Sequence, residues 1–463
     1  MNPAEEYDAI VIGTGQGGKP LAAAFAQAGQ KTAIIEKGRV GGTCVVEGCT
    51  PTKTMVASAR VAHLAGRAAD YGVITGPVSV DLEVVRKRKR DIVDSWSAGS
   101  QQGLERHEHL NLIFGEASFT GPRTLRVTTD GASDGSAQSL TAEKIFINAG
   151  ARPSAPPIPG LDSVPYLDST SIMELGEAPS HLIVLGGGFV GLEFGQMFHR
   201  FGSRVTIVEG APRLISREDE DVSKELEKIL REEGIEILTD AMVQSIGLGE
   251  AGGVEVAIDG ITVEGTHLLV ATGRVPNSDL LDPAAAGILL DERGFIAVNE
   301  RMETSVPGVY ALGDITGAPP FTHIAYDDYR ILKRIHLGGE DANREGRPVP
   351  YTLFTDPQLG RIGLTEREAR EQGLSVRVAT LPMSRVARAI ETDETRGFMK
   401  AVVDDDTDLI LGAAVLGIEG GEVATVLQMA MMGGVPYTAI KDGVFSHPTL
   451  SESLNNLFMA MDA

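Results

Sequence analysis

Cysteine is nearly absent from this chain: only Cys44 and Cys49 occur in 463 residues. That scarcity argues against a secreted scaffold held together by disulfides. A bridge between two positions this close would enclose so short a loop that it removes on the order of 2 kcal/mol or less from the unfolded chain. Long apolar runs are also lacking, and no window approaches the roughly 18 residues needed to span a bilayer. Positive charge is in deficit, with 41 Lys and Arg against 64 Asp and Glu and a net charge of −23. Such a balance disfavours nucleic acid and anionic membrane surfaces as partners. The one basic run, residues 86–90, lies in a helix-like stretch before Asp91 and Asp94 and reads as a solvated helix face. Residues 1–6 are polar and acidic rather than a basic-then-apolar leader, so a cytoplasmic location is expected. There a close pair of thiols is more often catalytic than structural. The length suggests about three domains.

The two cysteines sit in Gly41-Gly42-Thr43-Cys44-Val45-Val46-Glu47-Gly48-Cys49-Thr50-Pro51-Thr52-Lys53. The spacing alone leaves a redox pair, a metal clip and two unrelated buried thiols open. The surroundings are more specific. Residues 7–12 read as a buried strand, followed by a turn with Gly13, Gly15 and Gly18, an Ala-rich helix, and a second strand ending at Glu36. Glycines at these places let the backbone approach a pyrophosphate at a helix N-terminus, where free N–H groups and the helix dipole favour anions. Glu36 lies 23 residues after Gly13 (36 − 13), the spacing of a ribose-binding carboxylate. The same grammar returns with Gly186, Gly188 and Gly191 and ends at Glu209, again 23 residues on (209 − 186). Two dinucleotide sites are therefore expected. A carboxylate at Glu209 accepts from both ribose hydroxyls and repels a 2′-phosphate, which favours NADH over NADPH, although Arg213 follows nearby. Two further segments, Ile145 to Pro153 with Gly150 and Leu269 to Pro276 with Gly273, repeat an apolar strand-to-turn pattern.

In this order the motifs resemble those of the flavoprotein disulfide reductases, the family of dihydrolipoamide dehydrogenase, glutathione reductase and mercuric reductase. The resemblance also takes in Thr304 to Asp314, with Gly313, and the C-terminal stretch His447-Pro-Thr-Leu-Ser-Glu452. It implies an α/β fold with two Rossmann-like dinucleotide-binding domains and an α+β C-terminal dimerisation domain. The expected domains are FAD-binding at 1–150 and 275–340, NAD(P)H-binding at 151–274, and dimerisation at 341–463. It implies that Cys49 faces the flavin and Cys44 exchanges with the acceptor. Lys53 and Glu193 correspond to the ion pair beside the flavin, and Glu193 lies in an otherwise apolar helix where a carboxylate calls for a partner. Phe189 takes the place of the aromatic lid over the nicotinamide, and Asp314 that of the carboxylate holding the ribityl chain. His447 corresponds to the general base, oriented by Glu452 and reaching the dithiol of a second subunit in a homodimer. The FAD set is then Gly13, Gly15, Gly18, Glu36, Gly42, Thr43, Lys53, Gly150, Gly313 and Asp314. The nucleotide set is Gly186, Gly188, Phe189, Gly191, Glu193, Glu209 and Gly273, and no resident metal is expected.

Among family members the likeness is to the mercuric-reductase-like and reactive-chlorine-resistance oxidoreductases. It rests on residues 321–331, 393–400 and 447–458. The chain lacks the C-terminal cysteine pair of mercuric reductase, and Phe445 replaces the first histidine of the lipoamide enzymes. The expected activity is electron transfer from NAD(P)H through FAD to Cys44–Cys49 and on to a metal ion, an oxidant or a disulfide. The alternatives are dihydrolipoamide dehydrogenase and a low-turnover flavin redox sensor. Glu47 beside the dithiol favours a raised thiol pKa or cationic substrates, and Met429, Met431 and Met432 read as a helical core stripe.

Overall fold

The apolar run at the N-terminus forms the strand Glu5–Ile12, and its residues from Ala9 onward are buried without a break. Continuous burial of this kind marks a parallel strand covered on both faces. In the computed structural model, which describes residues 4–129, 137–249 and 252–462, this strand runs parallel to Thr32–Glu36 on one side and to Ala137–Ile147 on the other. The helix Gly18–Gln27 joins the first two strands, and Leu110–Phe114 extends the sheet beyond Thr32–Glu36. Successive side chains alternate between faces. Ile10, Ile12, Ile35, Ile145 and Ile147 pack into one core cluster. Ala9, Val11, Ile34 and Phe146 pack with Phe25 and Leu332 into another.

The strand Ala137–Ile147 has two kinds of neighbour along one edge. Its first half pairs antiparallel with Thr124–Thr128, which turns back onto Glu116–Gly121. Its last three residues pair in parallel with Val309–Ala311. These elements belong to one compact unit made of Met1–Thr54, Val84–Ser154 and Gly273–Arg347. The repeated segments seen in the sequence meet here, where Ala151–Pro153 and Arg274–Pro276 form a two-stranded antiparallel ribbon.

The second unit comprises Met55–Glu83, Ala155–Thr272 and Pro348–Ala463. Its parallel sheet has the order Glu236–Leu238, Arg204–Val208, His181–Leu185, His267–Val270. The helix Phe189–Arg200 connects the middle two strands and buries its residues from Gly191 to Phe198. A separate three-stranded antiparallel sheet spans residues 243–265. A five-stranded antiparallel sheet follows, in the order Tyr351–Leu353, Gln358–Gly363, Ile410–Gly417, Phe398–Asp404, Val376–Pro382. The helices Gly420–Met432 and Ser453–Met459 supply Leu427, Leu457 and Phe458 to its core. The two glycine-turn units and the C-terminal α+β sheet are the fold class expected from the sequence.

Two local expectations are corrected. Residues 86–90 do lie on a helix, Leu82–Glu105, but Lys89 is buried at 4 % exposure while its neighbour Lys87 pairs with Asp91 in solvent. Of the three methionines only Met431 packs against the core; Met429 and Met432 are exposed on the helix Gly420–Met432. Three positions spread over one turn do not all face the same way. Among the described residues no helix is long and apolar enough to cross a membrane.

Candidate active site

The dithiol is placed by two glycines. Gly42 has φ +62, and a Cβ there would stand 2.6 Å from the Cα of Gly15. Only glycine lets this segment lie against the first glycine turn. Cys44 then falls on the short helix Gly42–Val46, and Cys49 opens the long helix Cys49–Gly66. The two thiols share a hydrogen bond. Thr322, the first residue of the helix Thr322–Gly338, holds its hydroxyl 3.2 Å from Cys49 Sγ. The positive ends of two helices thus meet at one sulfur.

These contacts separate the thiols. The hydrogen bond from Cys44 is the main cause that brings the Cys49 pKa down to about 6, helped by Thr322 and the charge of Lys53, against the effect of burial. Cys44 is driven the other way, first by donating to Cys49 and then by burial, while Lys19 pulls in the opposite direction. One proton therefore stays on Cys44 when Cys49 is the thiolate, the reactive form of cysteine. Thr43 and Glu47 beside them are exposed.

Each expected ribose acid bonds to the backbone around its own glycine turn. Glu36 Oε2 accepts from the N–H (3.0 Å) and hydroxyl (2.5 Å) of Thr14, and its Oε1 accepts the Gly38 N–H at 2.9 Å. Glu209 accepts the N–H of Gly187 at 2.6 Å and of Ala211 at 2.7 Å. Both acids tie the end of the second strand back to the glycine turn. At Gly191 a Cβ would meet the Gly186 carbonyl at 1.9 Å, so the turn and the helix Phe189–Arg200 close against each other. Gly188 is the N-cap of that helix, and Phe189, its first residue, packs on Tyr351 with ring centroids 5.2 Å apart. Glu193 is buried at 5 % exposure and accepts the Phe354 N–H at 2.9 Å.

In the first unit the residues present fit a dinucleotide. The turn 13–18 is held by Asn148, which accepts the Gly18 N–H at 2.9 Å and donates to the Leu312 carbonyl at 3.0 Å. A Cβ on Gly15 would collide with Asn148 Oδ1 at 2.7 Å, so only glycine lets the turn lie this close to the end of the sheet, where a pyrophosphate can approach the helix N-terminus. A Cβ on Gly13 would meet the Asn148 carbonyl oxygen at 2.4 Å, and the Gly150 carbonyl accepts the Asn277 N–H at 3.1 Å. Gly313 donates its N–H to the fully buried Asp328 at 2.8 Å. Asp314 follows it, with its pKa raised by burial against the pull of Arg274, 4.0 Å away. Gly273 precedes the ribbon strand Arg274–Pro276.

His447 and Glu452 belong to the second unit. The exposed His447 ring places Nδ1 2.9 Å from Glu452, which leaves Nε2 to exchange a proton. Among the described residues no cluster of His, Cys, Asp and Glu is arranged to hold a metal ion. The sequence reading left out Thr322, Asn148 and Asp328. Asn148 could have been found as a polar residue at the end of an otherwise apolar strand, whereas Thr322 meets Cys49 across 273 positions with no local signal.

These features define a nucleotide-dependent dithiol oxidoreductase. Residues 7–328 match the family described as pyridine nucleotide-disulphide oxidoreductase, and residues 349–458 match its dimerisation domain. The chain belongs to this family of FAD-dependent flavoproteins that use pyridine nucleotides. It is 39 % identical over 457 residues, 98 % of this chain and 99 % of the relative, to the probable pyridine nucleotide-disulfide oxidoreductase RclA of Escherichia coli (strain K12). A mercuric reductase of Bacillus cereus is 34 % identical over 99 % of this chain and 72 % of its own length. The structure of the Cu(II) complex of HOCl-induced flavoprotein disulfide reductase RclA from Escherichia coli superposes with a TM-score of 0.91 at 38 % identity, covering 98 % of this chain and 99 % of that one.

Proposed function

We propose that this chain is an NADH-preferring oxidoreductase whose redox pair is Cys44–Cys49 and whose terminal acceptor is a metal ion, an oxidant or a disulfide. The observation that carries it is the pair of free thiols Cys44 and Cys49, set against the first glycine turn by Gly42 and Gly15, with the Thr322 hydroxyl 3.2 Å from Cys49 Sγ. FAD, held by residues 1–150 and 275–340 with the glycine turn, Glu36 and Asp314, supplies when bound the chemistry that couples hydride oxidation to thiol chemistry. The nucleotide binds within residues 151–274, its ribose at Glu209 and its nicotinamide under Phe189. Lys53 and Glu193 keep the roles their motifs give them.

Cys44 keeps its proton while Cys49 is charged, so its attack on an acceptor needs a base. His447, oriented by Glu452, is the base this chain offers. A homodimer built through residues 341–463 brings His447 of one copy to the dithiol of the other. The exposed Met429, Met432 and Val444 on that part of the chain support a surface made to be covered. The likeness to RclA, solved as a Cu(II) complex and described as HOCl-induced, supports a metal or oxidant acceptor. The retained His447–Glu452 pair favours lipoamide as a second reading.

Steady-state NADH oxidation by the holoenzyme with lipoamide, Cu(II) and Hg(II), each beside Cys44→Ser, tests both. Fast metal-dependent turnover that Cys44→Ser removes supports the first reading. Fast lipoamide turnover with slow metal turnover replaces it with the second, and turnover indifferent to Cys44→Ser sinks both.

A further inference from the structure

Beside Cys44, within the first unit, lies an open pocket of about 350 Å³ lined by Gln16, Lys19, Val45, Trp96 and Ser100. Trp96, the only tryptophan of the chain, forms an apolar wall and is 57 % exposed. Lys19 is the one cation in the lining, and no carboxylate lines the pocket. Its ammonium donates to Ser100 Oγ at 3.0 Å. Among the described residues no acid pairs with it, although the chain has 64 Asp and Glu. Burial lowers the Lys19 pKa, and Cys44 pushes it back up when it ionises. A half-buried ammonium without a counter-ion beside a nucleophile favours whatever brings a negative charge to it.

We propose that Lys19 is a specificity-determining residue that selects an anionic disulfide as the acceptor for Cys44, with the carbon body of that acceptor against Trp96. This rests on the reading of Cys44 as the exchange thiol, and it narrows the acceptor classes named there. In the reaction the Cys44 thiolate attacks one acceptor sulfur and forms a mixed disulfide. The acceptor S–S bond breaks, and the first half leaves as a thiolate that takes back the proton given up by Cys44. The Cys49 thiolate then attacks Cys44 Sγ, forming the Cys44–Cys49 bond and releasing the second half as a thiolate. The dithiol loses two electrons and the acceptor gains two. The Lys19 charge stabilises the acceptor anion throughout, and it works against a bare divalent cation.

The test compares NADH-driven reduction of dithiobis(nitrobenzoate), an anionic aromatic disulfide, with dithiodipyridine, a neutral one, by the holoenzyme. Lys19→Gln is expected to lower the ratio of kcat/KM for the anionic over the neutral disulfide roughly fivefold, the size of a charge contact screened by bulk water. Lys19→Arg keeps most of the ratio. A second readout needs no turnover: alkylation of Cys44 in the reduced protein, followed by peptide mass spectrometry. There the iodoacetate over iodoacetamide rate ratio falls to the same extent in Lys19→Gln. Ratios that Lys19→Gln leaves unchanged, with Cys44→Ser inactive, overturn the role of Lys19 alone. Wild-type rates in Cys44→Ser overturn the underlying reading and the proposal with it.

Discussion

Valine at position 322 keeps the shape of threonine but has no hydroxyl to donate to Cys49 Sγ, 3.2 Å away. A hydrogen bond to a charged group contributes about 1.5–3 kcal/mol. The low end of that range, roughly 1.5 kcal/mol, sets the smallest loss to expect. One pKa unit corresponds to about 1.4 kcal/mol. The bond stabilises the thiolate, so its loss moves the titration upward. Thr322→Val is therefore expected to shift Cys49 from about 6 by about one unit, to roughly 7. The bond from Cys44 and the charge of Lys53 remain, which keeps Cys49 below an ordinary cysteine. The assay is the pH dependence of iodoacetamide alkylation at Cys49 in the reduced protein, resolved by peptide mass spectrometry. Thr322 leads its helix without capping it through its side chain, so the fold is retained and a thermal melt checks this. A midpoint that stays put or falls would refute the account of how this chain makes its thiolate.

Three further outcomes follow from other contacts. Glu452→Gln keeps a polar side chain beside His447 Nδ1 but removes the charge that steadies a protonated ring, so disulfide turnover falls by about tenfold. NADH-ferricyanide activity, which bypasses the dithiol, is unchanged in the same preparation. Glu209→Ala frees the N–H groups of Gly187 and Ala211 and deletes the ribose acceptor, so KM for NADH rises about tenfold while KM for NADPH moves less. Steady-state kinetics with the two nucleotides read this directly. Asp328→Asn leaves Arg347 without its buried counter-charge and weakens the hold on Gly313, a loss of about 2 kcal/mol in urea unfolding, below the range for a fully buried pair because Arg347 is partly exposed.

The glycine turns were legible because their information is local: a strand, three glycines and an acid at one fixed interval specify a single short unit. The same spacing does not show that Glu36 and Glu209 bond to Thr14 and Gly187, because those bonds depend on how each acid folds back. His447 and Glu452 sit five positions apart and could be paired on sight, whereas Thr322 and Cys49 meet only because a helix from another part of the chain begins at the dithiol. Lys89 is the converse case. Its neighbours are charged on both sides, so the run reads as solvated, yet its place on the helix Leu82–Glu105 turns it inward. Helical periodicity assigns faces only when apolar and polar positions alternate clearly, and five consecutive basic residues carry no such phase.

The strand Ala137–Ile147 receives its last neighbour, Val309–Ala311, only after another 162 residues (309 − 147) have been made. At translation rates of about 5–20 residues per second, the edge formed by Ile145, Phe146 and Ile147 waits about 8–30 s for its partner. An unpaired edge of apolar residues is a template for pairing with other chains. The intervening stretch Ala155–Thr272 is synthesised during that wait, and Arg274–Pro276, the partner of Ala151–Pro153, is made before Val309 and is able to pair first. That ribbon joins the two ends of the inserted segment and so shortens the search that Val309 must make. Order of synthesis, as much as stability, gives this small two-stranded ribbon its place in the design of the chain.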